Sequence, residues 1–298
     1  MRPAAPGGPP ADGPRLTNSA GSAMLARTTR PAWRFDRPGG GTSVTSAETR
    51  IGVLIPPVNV TVEPEFNRWA PPGVTVHAAR MWRRRARLTP DDLREMLTRL
   101  DDDCARLAMA QPGVVLYACT SGSSLETGGF DRGISERIAR ASGAPASTTS
   151  TAVAAALRAL DIRRPAVVTP YSDEINTREM AFFRELGFEP VSLESFREED
   201  SHAIPRIDPE DTARLALKAD RPEADGLFIS CTNLPTAPII ERLESELGKP
   251  VVTSNQATLW LGLRALGVTA AVPGAGRLLA GPFTPGAGAV AQPGAPRT

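Results

Sequence analysis

The sequence predicts an α/β protein built as two pseudo-symmetric lobes, each a mostly parallel sheet flanked by helices, with a cleft between them. Three observations carry that prediction. Short apolar or β-branched runs alternate with segments of helical periodicity, the pattern of βα units around a parallel sheet. VVLYACTS, GAP and STAVAAALRALD in the first half match GLFISCTN, GKP and NQATLWLGLRALG in the second, in the same order and at nearly constant offset. A further pair, IGVLIPPVNVTVEPEF and PAVVTPYSDEINTREMAFF, opens each half.

Strands are expected at 51–55, 74–80, 113–118, 166–170, 188–194, 226–230 and 250–254, where apolar and β-branched residues cluster between turn residues. The helix expected over 89–108 begins with Thr89 as a cap, Pro90 at the first helical position, and Asp91 and Asp92 at the positive end of the dipole. Further helices are expected near 123–142, 151–160, 173–186, 209–219, 236–247 and 256–266, with DPEDTARLALKA a second capped start. The organisation that follows is a first lobe at 49–162 and a second at 163–281. Residues 1–48 and 282–298, rich in Pro, Gly and Ala, are expected to be a disordered extension and a disordered tail, with Met24 an alternative start.

Composition excludes several function classes. The 34 Lys and Arg nearly balance 33 Asp and Glu, so no global field recruits nucleic acid or a membrane surface. No run approaches the apolar length of a membrane span, and the N-terminal segment lacks the apolar stretch of a signal peptide. Three cysteines make neither a disulfide framework nor a zinc pattern, so reduced, cytoplasmic thiols are expected, with no metal. Homo-oligomerisation stays open.

Two of those thiols occupy matching phrases. Cys119 in YACTSGS and Cys231 in SCTNLP each end a strand and open a turn. In open α/β sheets ligands bind at the carboxyl ends of strands, so two lobes related by a pseudo-dyad would bring both thiols to one cleft. A thiolate is a nucleophile and a base, and Thr120, Ser121, Thr232 and Asn233 supply donors beside it for a carboxylate. A single cysteine after a strand is ordinarily a small buried hydrophobe; the repeated context argues for chemistry. Asn59 and Tyr171 fall just after the first strand of each lobe and can also donate to a carboxylate. His202 in EEDSHAIPR lies where it could approach the cleft. Cys104 and His77 read as structural, and Arg206 and the run Arg83–Arg85 as solvated or helix-flanking charge, with any one of these arginines able to steer an anionic substrate.

PPVNVT, YACTSGS, TPYSDEIN, SCTNLP and PVVTSNQATLW, in that order over about residues 50–268, resemble the aspartate/glutamate racemase superfamily, in the branch of maleate cis–trans isomerase and arylmalonate decarboxylase. The resemblance implies a site between two α/β lobes, no cofactor, Cys119 and Cys231 as paired catalytic thiols, and Asn59, Thr120, Ser121, Tyr171 and the turn after Cys231 as carboxylate binders. Decarboxylases of this branch keep only the second-lobe thiol, with glycine at the first position. Two cysteines therefore favour isomerisation, most concretely of maleate to fumarate, over decarboxylation. An Asp/Glu-type or ectoine-utilisation-type racemase, an arylmalonate-type decarboxylase and a non-catalytic carboxylate-binding protein are the alternatives. Two departures bear on the substrate: Ser201 or His202 stands where the isomerases carry an Asn, and TSGS follows the first thiol where they tend to be apolar.

Overall fold

The computed structural model describes residues 49–281 and 290–294; the extension expected at 1–48 lies outside them. The first sheet is formed by β1 (Thr49–Ile55), β2 (Val74–Arg80), β3 (Val114–Tyr117) and β4 (Ala146–Thr148), in the order β2-β1-β3-β4. Around it run α1 (Val62–Trp69), α2 (Pro90–Glu95), α3 (Leu100–Ala108), α4 (Thr120–Ser123), α5 (Phe130–Ser142) and α6 (Thr149–Ala159). The second sheet takes β5 (Pro165–Thr169), β6 (Ser192–Ser195), β7 (Gly226–Ile229) and β8 (Val251–Thr253) in the order β6-β5-β7-β8. Its helices are α7 (Asp173–Glu185), α8 (Pro209–Ala219), α9 (Ile240–Leu247), α10 (Ser254–Ala265) and α11 (Gly276–Ala280). Every strand pair within the two sheets is parallel. The two orders are the same, so the sequence repeat is a structural duplication.

Most predicted elements form near their expected limits, and the differences have local causes. Strand β4 is absent from the expectations because AST lacks an apolar run; it is nonetheless fully buried beside β3. Helix α1 is also absent from the expectations, although Glu65, Phe66 and Trp69 give it a buried face. The helix expected over 89–108 divides at a 3-10 turn, Met96–Arg99. That expected over 123–142 is interrupted ahead of α5 by Gly128 and Gly129, both at positive φ. Of the segment 282–298, residues 290–294 are described, and Ala291 exchanges backbone hydrogen bonds with Ala146 at the free edge of β4.

The caps read from sequence form. Thr89 accepts from the Asp92 amide at 3.2 Å, and Asp208 accepts from the Glu210 amide at 2.9 Å. Helix α10 carries a full capping box between Thr253 and Gln256 and is buried from Ser254 to Leu263. A helix buried on all sides belongs inside a core, and α10 lies where the two sheets meet. Thr258 Oγ1 donates to Thr149 Oγ1 of α6 at 2.9 Å. Gly262 lets α10 approach β3 so closely that a Cβ there would stand 2.8 Å from Leu116 Cδ1. Both sheets belong to one compact unit. Among the described residues no helix is long and apolar enough to cross a membrane.

Candidate active site

In each sheet the strand order reverses between its first and third strands, β1 and β3 or β5 and β7. The crevice beyond the carboxyl ends of such a pair is where open α/β sheets bind ligands. Asn59 follows β1 and Cys119 follows β3; Tyr171 follows β5 and Cys231 follows β7. The duplication faces these two crevices toward one another. A single pocket is lined by Pro56, Val58, Asn59, Arg83, Leu88, Cys119, Thr120, Ser121, Tyr171, Ser201, Ile204, Cys231, Thr232 and Asn233. Both thiols therefore reach one pocket from opposite lobes. A larger hollow of about 370 Å³, lined by Arg158, Asp161, Arg163 and Phe188 among others, contains none of the predicted site residues.

The two turns are braced across the lobes. Thr232 Oγ1 donates to the Ala118 carbonyl at 3.0 Å and accepts from Asn59 Nδ2 at 3.1 Å. Asn233 Oδ1 accepts from the Val60 amide, while its Nδ2 donates to the Ser201 carbonyl at 3.1 Å. The Ser254 hydroxyl receives Thr120 Oγ1 at 2.8 Å and the Cys231 amide at 3.0 Å, tying the two cysteine turns through one oxygen. The side chains of Thr232 and Asn233 are thus consumed in holding the lobes together, leaving their main chain as what they offer a ligand. Asn59 is divided: Oδ1 accepts from the Thr61 and Val62 amides at the start of α1, and its Nδ2 bond uses one of two N–H groups. Ser201 lines the pocket, whereas His202 is exposed and outside it.

The thiols differ in backbone and surroundings. Cys231 has φ of +100°, a conformation that side-chain-bearing residues rarely adopt and that functional sites often store; Cys119 is extended at φ −150°. Burial raises both pKa values, that of Cys231 to about 12. Against that rise, Cys119 receives the Gly122 amide, the Ser121 hydroxyl 3.8 Å from its sulfur, and the field of Arg83. Cys231 receives Tyr171 and the Asn233 amide, the latter at 3.4 Å. The positive neighbour thus sits with Cys119, which makes it the easier thiolate to form.

Three contributors escape a reading of sequence alone. Arg83, expected in a solvated run, is buried while Arg84 and Arg85 are exposed. Glu179 of α7 is wholly buried, with no hydrogen bond of good geometry to either oxygen; burial lifts its pKa to about 8, against which Ser230 acts. Ser254 opens α10 and bridges the turns. The GAP/GKP match, which places PASTTS opposite PVVTSN, is the signal that would have exposed Ser254 and β4. Cys104, as expected, is a core residue of α3.

A family model described as arylmalonate decarboxylase matches residues 51–279, spanning both lobes and every pocket residue. The chain belongs to the arylmalonate decarboxylase family. Within and around that family, it is 33% identical to a maleate isomerase of Nocardia farcinica over 240 residues, 77% of this chain and 95% of that protein. It is 34% identical to an arylmalonate decarboxylase of Bordetella bronchiseptica over 194 residues, 64% of this chain and 81% of that protein. Its fold superposes with TM-score 0.73 and 30% identity on a cysteine-to-serine variant of the Nocardia farcinica maleate cis-trans isomerase, covering 78% of this chain and 98% of that one. That structure is described as holding a covalently bound succinylcysteine intermediate. The branch resemblance carried by the paired CT turns is borne out.

Proposed function

We propose that this member of the arylmalonate decarboxylase family is a cofactor-independent cis–trans isomerase of a small dicarboxylate, with maleate to fumarate the reaction to test first. The observation that carries this reading is the meeting of two thiols, one from each lobe, in a single buried pocket lined, among the described residues, by no carboxylate side chain. The succinylcysteine of the Nocardia relative supports it, because a thioether to a saturated four-carbon diacid is what thiol addition to an enedioate produces.

Cys119 is the nucleophile. Its thiolate gives an electron pair to one olefinic carbon, the π electrons move to the neighbouring carbon and its carboxylate, and the Cys231 S–H delivers a proton there. The central bond is now single and rotates. The Cys231 thiolate then removes a proton from the same carbon, the double bond re-forms in the trans arrangement, and the C–S bond breaks to return the Cys119 thiolate. One proton enters and one leaves, no atom changes oxidation state overall, and the cycle closes without a co-reactant. A Cys231 pKa of about 12 keeps its proton in place at neutral pH and makes its thiolate a strong base once formed. The carboxylates are assigned to Asn59, Thr120, Ser121, Tyr171, Ser201 and the amides following Cys231, a reading supported by their common position in the pocket lining.

Opposed thiols would also suit a racemase, in which each exchanges a proton with one face of an acidic C–H, and the Bordetella relative keeps decarboxylation as a third reading. Incubation with maleate followed by proton NMR tests the first: fumarate should accumulate. Exchange of an α-proton for deuterium with no change of carbon skeleton would instead indicate the racemase, carbon dioxide release from a substituted malonate the decarboxylase, and no conversion at high enzyme concentration would reject maleate.

A further inference from the structure

Among the described residues Arg83 is the lone charged side chain lining the pocket. It is 8% exposed, Nη2 donates to Ser201 Oγ at 3.2 Å, and Nε is buried with no partner. No carboxylate of the described residues lies within ion-pair distance of it. The groups that reach it electrostatically are Cys119 first, then Asp92, Tyr117 and Glu95, and none of them pairs with it directly: Asp92 accepts from Thr89 Oγ1 at 2.7 Å, and Glu95 accepts from the Arg84 amide at 3.0 Å. A buried cation without a counter-ion is costly unless something supplies the missing charge. Guanidinium is the side chain best matched to a carboxylate, through two parallel N–H donors.

The reacting site has a matching deficit. A Cys119 thiolate and a dicarboxylate bring three negative charges into a pocket whose other polar lining is neutral, and neutral donors alone hold a second carboxylate poorly in a dry site. We propose that Arg83 is the counter-charge for the substrate's second carboxylate, the one not held beside the Cys119 turn, so that this pocket selects dianions over monoanions. The proposal rests on the dicarboxylate reading above and names the residue that enforces it. Arg83 belongs to the segment between β2 and α2, which meets the loop after β6: the Leu88 amide donates to the Glu199 carbonyl and the Ser201 amide to the Ala86 carbonyl, both at 3.1 Å. The selecting cation is thereby held where both lobes contribute wall.

The test compares succinate with its monoamide, succinamate, and maleate with maleamate, pairs alike in shape that differ by one charge. In titration calorimetry the wild-type protein should bind succinate about 100-fold more tightly than succinamate, and Arg83→Met should erase that preference, as loss of one partner of a buried charge pair does. In turnover, Arg83→Met should raise KM for maleate about as much while changing kcat far less, and Arg83→Lys should recover part of the loss; Arg83→Gln serves if the Met variant does not fold. Equal binding of succinate and succinamate by the wild type overturns the proposal. So does an Arg83→Met variant that keeps its preference for succinate over succinamate while Cys119 alkylation moves to higher pH, for then Arg83 serves the thiolate alone and not the second carboxylate. Because calorimetry needs no turnover, failure of wild-type isomerisation rejects the proposed reaction and leaves this test standing.

Discussion

The site's chemistry is set by how single residues are buried. Cys231 holds a left-handed backbone with a side chain that disfavours it, so removing the side chain should relieve strain. Cys231→Gly should therefore be more stable than Cys231→Ala by about 1 kcal/mol, the reverse of the usual order, as measured by urea unfolding. Glu179 yields a second expectation. Its pKa stands at about 8 in the folded protein against about 4.5 for a free glutamate. Between those values the native state keeps a proton that the unfolded chain releases, so stability should fall as pH rises from about 4.5 to about 8 and level off above, with ~5 kcal/mol as an upper bound. Glu179→Gln should flatten that decline; an unchanged profile of unfolding free energy against pH would show that Glu179 is not its source. Glu179 was not legible in sequence, and of the arginine run only a general power to steer an anion was, because a charged residue on a helix or in such a run carries no mark of the wall it will face. The two cysteines were legible because duplication set the same phrase at equivalent strand ends.

At the scale of elements, the turn α4 shows how close the fit around Cys119 is. Alanine ordinarily stabilises a helix relative to glycine, yet a Cβ at Gly122 would stand 2.6 Å from the Tyr117 hydroxyl and 3.0 Å from Cys119 Sγ. Gly122→Ala should thus cost about 1–3 kcal/mol by overpacking and lower kcat by displacing the thiol, read from thermal melting and initial rates together. Strands rich in Val, Ile and Leu announced themselves by composition, as did helices with caps such as Thr89 and Asp208. Strand β4 did not, since three small or hydroxylated residues owe their strand state to the neighbouring β3. The helix break at Gly128 and Gly129 was visible as a glycine pair but was outweighed by the periodicity on either side.

For the whole molecule, the question is what keeps two lobes in register around one pocket. Glu65 of α1 is central to that union. Buried in the first lobe, it accepts from the Thr236 and Ala237 amides at 2.7 and 2.8 Å and from Asn255 Nδ2 at 2.6 Å, all in the second. Glu65→Ala would strand those donors and should cost about 3 kcal/mol or more in urea unfolding, with Glu65→Gln retaining part of the stability. The two-lobe plan was readable from the repeat, but this brace was not, because a repeat aligns one lobe with the other and carries no mark of which side chains cross between them. The free cavity of about 30 Å³ has room for a water or two, so a four-carbon diacid requires the lining to give way. The reaction proposed for that pocket is most directly tested by mass mapping of Cys231→Ser protein after incubation with maleate. The account predicts a single succinyl group on Cys119; an adduct on another residue, or an unmodified Cys119 in a variant that still forms fumarate, would contradict it.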